Sequence, residues 1–173
     1  MKMKAFQWSV RDIARASLLG ALGLALPFIF HLFGAGKIFL PMHLPILVGG
    51  FLLPPTLASF LGAVVPFLSS ILTGMPPIVP TMPLMVFELS ALGGITAILY
   101  QRAKVGIWAS LIGGIVGDRI ALAIIAFLLG RYLEIKSALA YVSVAVITGL
   151  PGIILQIGLI PPIIYLIEKR SSF

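Results

Sequence analysis

Apolar runs of about twenty residues recur from one end of this chain to the other, and they leave few folds open. Such a run is the length an α-helix needs to cross about 30 Å of hydrocarbon at about 1.5 Å per residue. Lipid offers no water to backbone N–H and C=O groups, so uninterrupted apolar segments of this length satisfy themselves as helices. Of 173 residues, 60% are hydrophobic and 10% are charged, far below the roughly 25% charged content of a soluble domain. The length allows about six crossings joined by short connections. The chain therefore reads as a single all-α transmembrane domain over residues 1–173 of this multi-pass protein, with no room for a separate soluble domain.

The net charge of +7 raises the question of nucleic acid, but a nucleic-acid surface needs its basic residues gathered on one solvated face. Here they mark the ends of apolar runs. Lys2, Lys4, Arg11 and Arg15 precede the first, Arg102 and Lys104 separate the fourth from the fifth, and Lys169 and Arg170 follow the last. The opposite connections hold Lys37, Arg131 and Lys136. Eight basic residues against three predict that both termini face the cytoplasm, N-in and C-in. The surrounding partner is membrane lipid, and no nucleic acid is expected. Cysteine is absent, which removes disulfides and thiolate chemistry. The basic start followed by an apolar run lacks a small-x-small cleavage site, so residues 1–30 are expected to remain in the mature protein.

The spans are predicted at about 12–31, 42–53, 56–73, 84–100, 106–129 and 138–167. The second is short: about 12 residues rise about 18 Å, well under the hydrocarbon thickness, so it is expected to be strongly packed among neighbours or partly re-entrant. Pro54-Pro55 makes a tight turn after it. The stretch Gly74-Met-Pro-Pro-Ile-Val-Pro-Thr-Met-Pro83 carries four prolines and predicts a semi-rigid outer loop. Gly149, Pro151-Gly152 and Pro161-Pro162 predict that the last helix is interrupted and kinked.

Ionisable residues inside a span are costly and mark function or internal pairing. Glu88, Asp118 and Arg119 fall at similar depths below the outer loops. They are candidates for a substrate site, with Arg119 facing a carboxylate or carbonyl and the acids accepting hydrogen bonds, or for an ion pair that locks two helices. His43 lies just inside the outer surface. Lys37, Met75 and Pro76 of the outer loops are further candidate substrate contacts, as is Gln156, a polar residue in an apolar run that could equally bond between helices. His31 and His43, without a nearby carboxylate or cysteine in sequence, make a weak metal site, so no metal and no cofactor are expected. Ser17, Ala21 and Ala25, widened by Gly20 and Gly23, form a small-residue strip on the first helix. It suits docking of a partner or close packing within the chain.

No nucleophile elbow, zinc-protease motif or phosphate-cradling loop is present, so the chain is not expected to be an enzyme or to hydrolyse ATP. Three segments carry a resemblance. They are Ala16-Ser-Leu-Leu-Gly-Ala-Leu-Gly-Leu-Ala-Leu-Pro27, Leu40-Pro-Met-His-Leu-Pro-Ile-Leu-Val-Gly-Gly-Phe-Leu-Leu53 and Ser69-Ser-Ile-Leu-Thr-Gly-Met-Pro-Pro77, followed by Glu88. Together they resemble the substrate-binding S components of energy-coupling factor (ECF) transporters of the bacterial cell membrane. The resemblance implies an outward pocket for one vitamin, a first helix that docks on a transmembrane T subunit driven by two ATPase subunits, and delivery by toppling in the membrane. Nickel and cobalt members carry a histidine after the initiator methionine where this chain has Lys2, and thiamine-type members surround the ligand with tryptophans where Trp8 and Trp108 lie at the cytoplasmic side. A cobalamin-, pantothenate- or folate-like substrate is implied instead. A solitary membrane carrier and a membrane-embedded enzyme are the alternative classes.

Overall fold

The computed structural model describes residues 8–32, 34 and 36–171, except for the side chains of 31, 32, 36, 37, 170 and 171. The described residues are helical, without strands, and run α1 (Val10–Leu32), α2 (Gly36–Phe39), α3 (His43–Leu52), α4 (Pro55–Thr73), α5 (Thr81–Ala97), α6 (Ile107–Leu129) and α7 (Ala138–Ser171). A π-helical turn over Ile98–Arg102 extends α5. Helices α1, α4, α5 with its π turn, α6 and α7 are long and apolar enough to cross a membrane. All six predicted helices are present, five of them long enough to cross and the second short, and α2 is an extra single turn.

Local chemistry explains the boundaries. Helix α1 starts at Val10 because Ser9 and Asp12 cap each other. The Ser9 hydroxyl accepts the Asp12 amide at 3.1 Å, and Asp12 Oδ2 accepts the Ser9 amide at 3.1 Å, a reciprocal capping arrangement. Gly74 ends α4 with φ +71°, the left-handed C-terminal position that favours glycine. The proline loop is shorter than the sequence suggests, since α5 already begins at Thr81. Pro83 then falls in the first turn, where the missing amide would have had no helical acceptor. The last helix also differs from expectation. It runs without interruption through Pro151, Pro161 and Pro162.

Helix α3 is the short one of the six, about 15 Å long. It can be so short because it is surrounded by α1, α4, α5 and α7 rather than by lipid. Ile46, Leu47 and Leu53 are fully buried with Leu89, Leu92, Leu111 and Ile160 in one core. The carbonyls at its end are met by Gln101 of the π turn, whose Nε2 donates to Gly50 O at 3.3 Å and also to Leu53 O. Helices α4 and α5 pack most closely. A Cβ on Gly93 would sit 2.6 Å from the Ala58 carbonyl oxygen, and one on Gly62 would collide with the Leu89 backbone. Without a hydrophobic drive between helices in lipid, this kind of close backbone approach is what holds them.

Candidate functional site

At the end of the bundle that carries the α4–α5 and α6–α7 connections, a cavity of about 780 Å3 opens between α3, α5, α6 and α7. Most of its wall is apolar, including Met42, Leu84, Met85, Leu122 and Val144. Met75, Pro76, Pro77 and Pro80 form one side of the rim, and Glu134, Ile135, Lys136 and Ser137 the other. Two hydroxyls fix the proline side. Ser69 Oγ donates to Met75 O and Ser70 Oγ to Pro76 O, both at 2.7 Å. Serine hydroxyls near a helix end bond to local backbone in this way, which gives the Ser69-Ser70 pair a structural reason.

The floor is polar. His43 is the first residue of α3, Glu88 lies two turns into α5, and Asp118 and Arg119 sit midway along α6. Gly114 and Gly117 of α6 face Thr96 and Ile95 of α5, whose side chains occupy the space a Cβ at either glycine would need. That approach brings Arg119 Nη1 to 2.6 Å from Glu88 Oε1. Arg119 Nε lies 3.4 Å from Asp118 Oδ1. His43 Nε2 lies 3.7 Å from Glu88 Oε1 and 4.0 Å from Asp118 Oδ2. Adjacent helix positions point about 100° apart, so Asp118 is fully buried while its neighbour Arg119 turns to the cavity. Formally the floor, together with Asp118 buried behind it, carries two carboxylates and one guanidinium beside an imidazole.

The sequence candidates separate into groups. Glu88, Arg119, His43, Met75 and Pro76 line the cavity; Asp118 lies behind the floor. Gln156 is buried on α7 away from the cavity lining, and the Lys37 side chain lies outside the described residues. The side chain of His31 also lies outside them. Tyr141, Thr81 and the Glu134–Ser137 run line the cavity without having been singled out; the polar run between two apolar spans is the signal that marked that connection. On α1, Ser17, Ala21 and Ala25 are exposed, and Gly20 is half-buried beside Leu61. Gly23 does not widen that strip. It is buried against Val65 and Pro45, where its missing side chain lets α1 meet α4 and α3.

A family profile described as "ECF transporter, substrate-specific component" matches residues 11–164. The chain belongs to this family. The match spans all the long helices, the cavity and its floor. ECF substrate-specific components are substrate-binding parts of transporters rather than enzymes, which agrees with a deep apolar chamber on a small polar floor. No curated protein and no solved structure shows a significant match to the chain.

Proposed function

We propose that this ECF component captures a vitamin or related micronutrient from the outer side of a bacterial cell membrane, in the cavity above His43, Glu88 and Arg119, and delivers it by docking on a T subunit with two ATPase subunits. The observation that carries the reading is the cavity itself, within a chain of a substrate-specific family. Its volume lies in the range that encloses a drug-sized ligand, about 300–1,000 Å3. Among the implied substrates this favours a pantothenate- or folate-like compound over a cobalamin-like corrinoid. Mostly apolar walls with polar groups at the floor and rim suit a molecule with an apolar body and polar ends.

The positive-inside pattern puts the chain ends in the cytoplasm, so the cavity opens outward. The exposed strip Ser17, Ala21 and Ala25, with Gly20 at its margin, supports docking through α1, because packing within the chain leaves it uncovered. Glu88, Asp118, Arg119, His43, Met75 and Pro76 are the proposed substrate-site residues, and Lys37 and Gln156 remain the outlying candidates. Arg119 is already engaged by Glu88, so recognition of a substrate carboxylate does not rest on this guanidinium alone.

The test is purification of the full chain in mild detergent, with small molecules carried through identified by mass spectrometry and thermal stabilisation by pantothenate and folate measured alongside. Retention of a vitamin-like compound, with copurifying T and ATPase subunits, is the expected result. Purified protein that retains nothing, gains no stability from such compounds and associates with no ATPase would refute the reading and favour a solitary carrier.

A further inference from the structure

We propose that His43, Glu88 and Asp118 form a site for a divalent first-row transition-metal ion at the floor of the cavity. Sequence gives little hint of it, because the two acids stand far from His43 along the chain. The fold gathers them: one donor atom from each lies within 4.8 Å of the others, and all three residues are buried. The His43 contacts, at 3.7 Å to Glu88 Oε1 and 4.0 Å to Asp118 Oδ2, are too long for hydrogen bonds. A tetrahedral ion bound at about 2.0–2.2 Å holds its ligand atoms about 3.3 Å apart. The two His43 pairs are therefore less than about 1 Å from that spacing, and the Glu88–Asp118 pair, within 4.8 Å, is at most about 1.5 Å from it.

A second observation points to a ligand at the same place. Neither ring nitrogen of His43 and neither carboxylate oxygen of Asp118 has a hydrogen-bond partner among the described residues, although the side chains are only 2% and 1% exposed. Buried polar atoms are almost always bonded, and here an unbonded imidazole converges with a carboxylate whose charged neighbour, Arg119 Nε, stands 3.4 Å away without a hydrogen bond. An imidazole in the donor set selects zinc-like ions over magnesium or calcium. Arg119 does not block the site. Its hydrogen bond to Glu88 Oε1 places it as the outer partner that orients a ligating carboxylate.

Charge gives the ion a consequence. Two carboxylates and one guanidinium sum to −1 beside a neutral imidazole, and a dication turns the floor to +1. His43 and Glu88 line the cavity, so an open coordination position faces it. An anionic oxygen of the cargo placed there completes neutrality. This last step rests on the transport reading; the metal site does not.

The test uses the full chain carrying a non-histidine affinity tag, stripped with EDTA and titrated with Zn2+ and with Co2+. The expected result is about one ion per chain by mass spectrometry and a Co2+ absorption spectrum showing a nitrogen donor, consistent with a site of three protein ligands and one open position. His43→Ala and Asp118→Asn should each weaken binding by about 100-fold or more, since even outer-sphere losses reach about that factor, with helical content by circular dichroism unchanged. If His43→Ala fails to fold, the isosteric Asp118→Asn and the wild-type Co2+ spectrum decide. Failure to bind an ion stoichiometrically, or binding indifferent to both substitutions, overturns the proposal and leaves the cluster with water or a shared proton. Vitamin retention and ATPase association are scored separately, so that failure is distinguishable from failure of the transport reading.

Discussion

Replacing Arg119 with methionine removes the guanidinium that the structure sets against both Glu88 and Asp118. Two carboxylates would then share a buried floor without that counter-charge. Breaking a buried pair by deleting one partner costs about 3–5 kcal/mol. Glu88→Gln is a milder change. It leaves Arg119 3.4 Å from Asp118 Oδ1, one positive charge against one negative, and loses a charge-assisted hydrogen bond of about 1.5–3 kcal/mol. Arg119→Met should therefore be the more destabilising substitution by about 1–2 kcal/mol. At about 2–4 °C per kcal/mol for a chain of this size, Arg119→Met lowers the melting temperature by about 6–20 °C. The double variant Arg119→Met/Glu88→Gln no longer strands Glu88, so it should recover about 1–3 kcal/mol relative to the sum of the singles. Thermal unfolding in detergent, with a chelator present and no vitamin added, isolates the ion network from any ligand. An Arg119→Met protein that melts with the wild type, or one that loses less than Glu88→Gln, would show that the network is not held by this guanidinium.

Four further outcomes are expected. A reporter fused after Phe173, or inserted between Gln101 and Lys104, should be cytoplasmic; activity on the outer side at either place would invert the topology. Ala21→Trp should leave ligand binding intact and abolish transport, because an indole on the exposed strip of α1 keeps a partner helix away; joint loss with unfolding would assign the strip to internal packing. Gly62→Ala drives a methyl into the Leu89 backbone and should cost about 1–3 kcal/mol, whereas Gly158→Ala, with nothing within 4 Å of the new atom, should be neutral or stabilising by up to about 1 kcal/mol; equal melting temperatures for the two variants would contradict the close packing of α4 on α5. Ser70→Ala frees the Pro76 carbonyl and should weaken ligand binding about fivefold, the scale of one hydrogen bond near 1 kcal/mol, as read by isothermal titration with whichever compound is retained on purification.

The membrane architecture was legible because lipid imposes one rule on every span. Apolar run length and the position of basic residues located the helices, and even the short α3 stood out through its bracketing prolines. Proline was a poorer guide inside the bundle. Pro83 sits where a helix has spare amides, and α7 continues past Pro151, Pro161 and Pro162, as membrane helices tolerate proline where local backbone adjustments satisfy the freed groups. The candidate site was legible as depth but not as contact. Counting along α5 and α6 puts Glu88, Asp118 and Arg119 at one level, yet which atoms meet depends on helix rotation, set here by Gly114 and Gly117 against α5. His43 looked isolated for the same reason: its neighbours come from helices made later in the chain.

The short α3 also bears on how this protein is made. A segment of about 15 Å is too short to partition across a bilayer by itself, and the carbonyls at its end are met by Gln101, 48 residues downstream of Leu53. A ribosome that has released only α1 through α4 into the membrane has therefore produced a helix whose terminus still needs water or a chaperone. The end of α3 is satisfied by a residue made later, so the seated helix of this structure requires the π turn: the central helix is delivered before the group that closes its end. Chains stalled or truncated before residue 101 should accordingly be handled by membrane quality control as unassembled protein rather than as a smaller stable bundle.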